Sequence, residues 1–260
     1  MLILIAESKT MTPCMAPQSN EEYAAHTPEF EAAADDIMQA LHGISAQELS
    51  EKVKISFPLA LKSRQMIYEF PDKSHGSKAI EAFTGVVFKA LDAQSMSPCE
   101  LTRLNSRVRI ISSLYGWLRP DDVIKQYRLD FTTPLAPGNM KFAQYWQKAV
   151  SEALNNEVKT TGCDDILNLM PGDAERCIDT KLLAQGIKMW KVEFKEIKPG
   201  GKMATPTSNK LKTLRGKLLR QIIRENITTP AQLMELESDE YIADGNPTKP
   251  GVISFTTVAE

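Results

Sequence analysis

Residues 101–130 read LTRLNSRVRIISSLYGWLRPDDVIKQYRLD, and the fold turns on how that run is read. Just before it, Ser97-Pro98-Cys99-Glu100 is a helix-start signature, with serine to cap, proline in the first helical position and glutamate at the fourth letter. Leu101, Leu104, Val108, Ile111 and Leu114 then recur at steps of three and four, the spacing of one helical face, and leave Arg103 and Arg107 outward. Gly116 stops that helix, and a second short helix is expected after Pro120. The shape predicted over about 98–130 is a helix-hairpin-helix-like element, in which turn amides and flanking bases grip a phosphate without reading bases. Such hairpins carry glycine, a hydrophobe and glycine, and Leu118 stands where the second glycine belongs. A plain pair of antiparallel helices, its arginines paired with Asp121 and Asp122, is the other reading of the same residues.

Outward from that run, LILIA at residues 2–6 predicts a buried opening strand, followed by a polar, proline-containing loop through Pro17. Helical patterns follow over 29–42, from the Ser45 to Glu48 capping box, and over Pro58 to Phe70; Phe83 to Leu91 fits helix or strand. Residues 139–155 place Phe142, Trp146, Val150 and Leu154 on one helical stripe, and Ile166 to Met170 reads as a buried strand. The segment IKMWKVEFKEI alternates Trp190, Val192 and Phe194 with Lys191, Glu193 and Lys195, the mark of a half-exposed strand. A long amphipathic helix is expected over about 206–226, a short one after Thr229-Pro230, and a closing strand from Val252 to Val258. No repeat and no long linker interrupts the 260 residues, so one domain is expected.

A content of 42% hydrophobic and 25% charged residues is that of an ordinary globule and argues against a disordered chain. The opening residues carry no basic leader and no run approaches membrane-spanning length, so a soluble, cytoplasmic protein is expected. Cys14, Cys99, Cys163 and Cys177 are too scattered for a disulfide framework or a local zinc site. His26, His42 and His75 suggest no ligand set, and no metal or cofactor is predicted.

The net charge of −2 hides an asymmetry. Residues 1–50 hold one base against eight acids, whereas residues 181–225 hold twelve bases against three acids. A second basic stretch, 103–128, sets six bases against Asp121 and Asp122. If the two stretches share a face, the local field is positive whatever the average, and a polyanion is drawn there.

The run SLYGWLRPDDVIKQYRLDF resembles the signature of the YaaA family of bacterial peroxide-stress proteins, close to S-G-L-Y-G-x-L-R-P-x-D-x-x-x-x-Y-R-L. Further matches fall in the same order along most of the chain: Lys9-Thr10 after the opening strand, Gln144-Tyr145-Trp146, Leu154-Asn155, Asn168-Leu169, and Ser208, Lys212, Arg215, Gly216, Arg220 and Glu225-Asn226. The family's S-P-A before the lysine is Ala6-Glu7-Ser8 here, which sets an acid beside Lys9. Met170 to Ala174 and Asn209-Lys210-Leu211 also depart from the family pattern.

The resemblance implies a single-domain mixed α/β (α+β) fold, a mixed sheet surrounded by helices, that binds double-stranded or distorted DNA through a positive cleft and a helix-hairpin-helix. It also implies a role in limiting free intracellular iron under peroxide. The residues expected on DNA are Lys9, Arg103, Arg107, Arg109, Gly116, Arg119, Lys125, Tyr127 and Arg128, with Lys210, Lys212, Arg215, Lys217, Arg220 and Arg224 from the basic helix. Several phosphate contacts of this kind give steeply salt-dependent, largely sequence-independent binding.

A different class of function fits many of the same residues. An enzyme acting on a small phosphorylated or nucleotide-like substrate would use Lys9, Arg109, Arg119, Tyr127, Arg128, Asn168, Lys212 and Arg215, with Asp122 as general base. An open groove favours DNA and a closed pocket favours the enzyme. A third reading, an acidic-surfaced adaptor for a protein partner, rests on the acidic ends of the chain alone.

Overall fold

The computed structural model describes residues 1–13, 26–72, 74–245 and 249–258; Cys14 and the loop from it to Pro17 fall outside them. The first half of the chain forms β1 (Leu2–Ala6), α1 (Glu31–Leu41), α2 (Ala46–Val53), α3 (Phe57–Glu69), β2 (Ser77–Lys78), α4 (Ala79–Ala82) and α5 (Val86–Leu91). Next come α6 (Pro98–Arg107), β3 (Val108–Ser112), β4 (Gly116–Leu118), β5 (Val123–Ile124), α7 (Phe142–Thr161), β6 (Asp165–Asn168) and α8 (Gly172–Glu175). The last part supplies β7 (Lys188–Ile197), β8 (Met203–Ala204), α9 (Ser208–Arg224), α10 (Pro230–Leu233), β9 (Ile242–Ala243) and β10 (Val252–Val258).

The main sheet has eight strands in the order β4-β3-β1-β6-β7-β10-β9, with β8 paired to β7. Its five inner strands, β3-β1-β6-β7-β10, are all parallel. Strands covered on both faces need no alternation, and LILIA shows none: Leu2 to Ile5 are all buried. On one side Leu4 stands opposite Arg109 and on the other opposite Asn168, so β1 is fixed from both edges. The mixed sheet surrounded by helices is the architecture expected. The antiparallel strands β4 and β9 close its edges.

The order also fixes where a ligand can sit. The chain lays down β1, adds β3 on one side, then crosses over to add β6, β7 and β10 on the other. Between β1 and β6 the direction of building reverses, and in open α/β sheets the crevice outside the carboxyl ends of the strands at such a point is the usual ligand site.

The stretch 98–130 corrects the sequence reading. Ser97 does cap α6, with a reciprocal bond between Ser97 and Glu100, but the helix ends at Arg107. Val108, Ile110 and Ile111 then form β3, buried on both faces. β-Branched residues favour the pleated backbone over a helical one. The apolar spacing that runs on through Leu114 fits either state, and Ile110, placed off the helical stripe, is fully buried in the strand. Gly116, at φ +68°, turns the chain into β4, where Leu118 pairs with Ile110. Residues 116–130 hold β4 and β5 in place of a second helix, so there is no helix-hairpin-helix here. Gly116 is buried rather than set at an exposed turn, and a Cβ there would lie 2.7 Å from Trp146 and 3.0 Å from Phe30.

The basic helix expected over 206–226 is α9, capped by the Thr207 side chain. It starts beside the carboxyl end of β7, where Lys210 meets Glu196 at 2.8 Å. It finishes near the amino end of β1, where Arg107 reaches the carbonyls of both Met1 and Ile227. Its buried face lies on α5 so closely that a Cβ at Gly216 would stand 2.3 Å from the Val87 carbonyl oxygen and 2.7 Å from Ala90. Gly216→Ala is therefore expected to lower stability by about 1–3 kcal/mol. Gly43→Ala, with open space around it, should change stability by less than about 0.5 kcal/mol. Urea midpoints at unchanged slope read both.

Candidate functional site

At the carboxyl end of β1 the chain continues as Glu7-Ser8-Lys9-Thr10, beside the segment Tyr127 to Asp130. The two segments are joined by side chains. Tyr127 donates its hydroxyl to Glu7, Arg128 donates to the Lys9 carbonyl at 2.6 Å, and the Lys9 ammonium pairs with Asp130. Ser8 and Thr10 hydroxyls meet at 3.0 Å. Gly85 leaves room for Ser8, whose Oγ would lie 2.3 Å from a Cβ there.

Glu7 is the centre of this arrangement. Its backbone N–H donates to the Ile111 carbonyl, which continues the β1–β3 ladder by one residue. Its carboxylate accepts from the Ser113 N–H at 2.9 Å, from the Ser113 hydroxyl at 2.6 Å and from Tyr127. The Tyr127 oxygen lies 2.7 Å from the Ser112 hydroxyl, and that Ser112 oxygen accepts from the N–H groups of Leu114 and Tyr115. Burial pushes the Glu7 carboxyl up to about 7, against the pull of its Ser113 and Tyr127 donors. Burial, with the negative charge of Glu7, pushes the Tyr127 phenol well above its ordinary range. Asp130 behaves oppositely: although burial works against it, bonds from Lys9 and Thr132 hold it below the usual carboxylate range.

From the β6 side, the buried Asn168 accepts from the Met170 N–H at 2.8 Å and donates to Glu175 at 3.2 Å; Glu175 in turn pairs with Lys191 at 2.9 Å. Arg215 projects from α9 toward this end, within electrostatic reach of Glu175 and Asp173, and burial pulls its guanidinium down. Its buried Nε has no hydrogen-bond partner among the described residues. Cys177 lies behind, its thiol pushed up by burial and by the charges of Glu7 and Asp173.

The structure thus gathers Lys9, Tyr127, Arg128 and Arg215 at one edge, with Asn168; Lys212 is exposed one turn earlier on α9. It sends the other predicted residues elsewhere. Arg103 donates to the carbonyls of Ile223 and Arg224 and so closes the last turn of α9, whereas Arg107 ties the chain just beyond that helix, at the Ile227 carbonyl, to the Met1 carbonyl before β1. Arg109 is buried, pairs with Glu157 and lies over Trp117. Lys125 satisfies the end of α3 through the carbonyls of Glu69, Phe70 and Asp72. Arg220 does the same after α5, at Leu91, Asp92 and Ser95. Lys210, Lys217 and Arg224 pair with Glu196, Glu240 and Glu225.

Arg119 is exposed but follows β4, which runs toward the amino end of β3, away from Arg215. Asp122 lies with Arg119, accepting its N–H at 2.7 Å. Burial pushes its carboxyl up to about 6, but it stands apart from the residues gathered at β1.

These features define a class: a mixed α/β protein with a polar, charge-compensated cluster of side chains at the strand-order switch of its sheet. A family model described as peroxide stress protein YaaA matches residues 1–246, and the chain belongs to that family. A UPF0246 protein of Shewanella sp. strain ANA-3 is 31% identical over the full length of both chains. One from Shewanella baltica strain OS155 is 31% identical over 95% of this chain and 98% of its own. One from Phocaeicola vulgatus is 29% identical over 94% of each. Membership supports a role in peroxide stress. No helix among the described residues is long and apolar enough to cross a membrane.

Because the Glu7 carboxyl is raised from 4.5 to about 7, the fold favours its protonated form. That contribution is fully present below pH 4.5 and is lost as pH rises through 7. Relative to Glu7→Gln, the native protein should lose on the order of 3 kcal/mol between pH 4.5 and 8. Denaturation midpoints of both proteins across that range measure the difference, and parallel curves would contradict it.

Proposed function

We propose that this protein acts in the peroxide response by binding DNA through its sugar-phosphate backbone, at the carboxyl edge of the sheet. The cations assigned to phosphate are Lys9, Arg128, Lys212 and Arg215. The observation that carries this reading is the Arg215 guanidinium, near Glu175 and Asp173, with a buried Nε that lacks a hydrogen bond among the described residues. A buried donor without a partner is costly unless something supplies the acceptor, and a phosphate oxygen is a suitable one. The basic set is smaller than charge counting indicated, because Arg103, Lys125 and Arg220 serve helix ends and Arg107 braces the chain just after α9. Preference for bent or branched DNA would come from shape, since no base-reading side chain is assigned. The link to free iron is proposed as an indirect effect of this binding, with no iron ligands assigned to the chain.

One observation favours a second reading. The crevice lies at the switch point and holds a carboxyl near neutrality, which also suits a small phosphorylated or nucleotide-like substrate.

A salt-series titration against duplex, bubble and four-way-junction DNA tests the first reading. Arg215→Glu should weaken binding to all three and flatten the dependence of log K on log salt by about 1. Arg103→Ala should lower thermal stability and leave that slope alone. Salt-insensitive binding, or an unchanged slope in the Arg215 variant, would overturn it.

A further inference from the structure

The pairings around Glu7 raise a question that phosphate binding alone does not answer. A carboxylate under the surface is normally matched to a cation, yet no ammonium or guanidinium among the described residues pairs with Glu7. Its neighbour Lys9 turns to Asp130 instead, and Arg128 turns to the Lys9 carbonyl. Glu7 is met by one fixed donor, the Ser113 N–H, and by the hydroxyls of Ser113 and Tyr127, with the Ser112 hydroxyl also within its influence.

Hydroxyls can reverse. Facing an ionised Glu7, both donate, and the Ser112 hydroxyl supplies the Tyr127 oxygen. Facing a Glu7 protonated on Oε1, the Ser113 hydroxyl turns to accept that proton, while the Ser113 N–H and the Tyr127 hydroxyl keep their bonds to Oε2. The Ser112 oxygen, already accepting from the Leu114 and Tyr115 N–H groups, keeps its own proton on Tyr127 in both states. The surroundings therefore accommodate both charge states of this carboxyl, as a lysine or arginine partner would not.

We propose that Glu7 is the proton-exchanging group of the crevice, so that capture of a phosphate or like oxyanion at Lys9 and Arg128 draws a proton from solvent onto a Glu7 carboxyl oxygen. The inference rests on the phosphate-binding reading and adds its regulation by pH. An anion held two residues along the chain disfavours a second negative charge in a poorly solvated place, and the proton relieves it. The same linkage makes anion binding weaker as pH rises and Glu7 ionises.

The other groups packed against Glu7 do not compete for this role. From the segment after β5 comes Tyr127, whose phenol is pushed well up by burial and by Glu7. From the segment after α8 comes Cys177, pushed up by burial and by Glu7 and Asp173. The end of β3 and the segment after it offer the Ser112 and Ser113 hydroxyls, an amide and Tyr115, whose ring meets Tyr127 edge-on and whose hydroxyl accepts from the Lys125 N–H. On its own segment, Lys9 is held by Asp130, whose carboxyl lies below the ordinary range. Glu7 is thus the group set to change charge near neutrality.

The test uses probes that do not titrate in this range, sulfate and a short DNA duplex, with the full chain. Calorimetry at pH 7 in two buffers of different ionisation enthalpy should show proton uptake on sulfate binding. Affinity should fall about tenfold from pH 6 to pH 8, and Glu7→Gln should bind with neither proton uptake nor that slope. Should the variant not fold, a carbon-13 carboxyl titration of the native protein replaces it, and sulfate should raise the Glu7 midpoint. Binding without proton uptake, or a midpoint that sulfate leaves in place, overturns the proposal while leaving the phosphate reading intact. Proton-coupled sulfate binding without DNA binding supports it and removes the DNA reading. Failure of the native protein to bind either probe overturns both.

Discussion

Everything at the crevice depends on β1 being paired in parallel on both sides, with β3 and with β6. That two-sided register leaves residues 2–5 no exposed face and sets the next residues at the one place where strand order reverses. Glu7, Ser8 and Lys9 are therefore delivered to the crevice by the buried strand rather than by a free loop. The extra ladder bond from Glu7 to Ile111 holds the acid against β3, where Ser113 and Tyr127 can reach it. Burial there, with no cation to offset it, is what lifts its pKa against the pull of those donors and leaves its charge open to exchange.

The distribution of arginine and lysine follows a second constraint. Helix ends leave carbonyls without partners, and cationic side chains are well suited to them. Arg103 closes α9, Lys125 closes α3 and Arg220 closes α5, while Arg107 braces the chain just after α9, each by reaching another element. What counts as a basic patch in sequence is thus partly a set of internal braces. The cations left at the crevice, Lys9, Arg128, Lys212 and Arg215, are fewer, and carboxylates such as Asp130 and Glu175 stand beside them.

Much of the fold was legible in the sequence because its signals are local. The apolar run at residues 2–6, the alternation over 188–197, the Ser97 cap and the amphipathic spacing of α9 each state their own structure. The error over 108–115 has an equally local cause. Val108, Ile111 and Leu114 continue the helical spacing begun by Leu101 and Leu104, while a strand buried on both faces shows no alternation to contradict it. At the site, Lys9, Tyr127, Arg128, Asn168 and Arg215 were named from the sequence, and Glu7 was visible only as an acid beside Lys9. Its role was not legible, because the partners that define it, Ser113 and Tyr127, lie 106 and 120 residues away along the chain. Apart from Arg224, which pairs with the adjacent Glu225, the internal partners of the other bases are likewise distant in sequence, so counting charges overstated the free positive surface.

The central claim is that phosphate is held at the carboxyl edge beside β1 and not along the helix ends or the Arg119 turn. Amide hydrogen exchange of the full chain with and without a short DNA duplex tests it most directly. Slower exchange on binding at residues 7–10, 127–130 and 168–173 and along the start of α9 is the result the account predicts. Protection confined to 98–107 and 116–122, with the crevice unchanged, would contradict it.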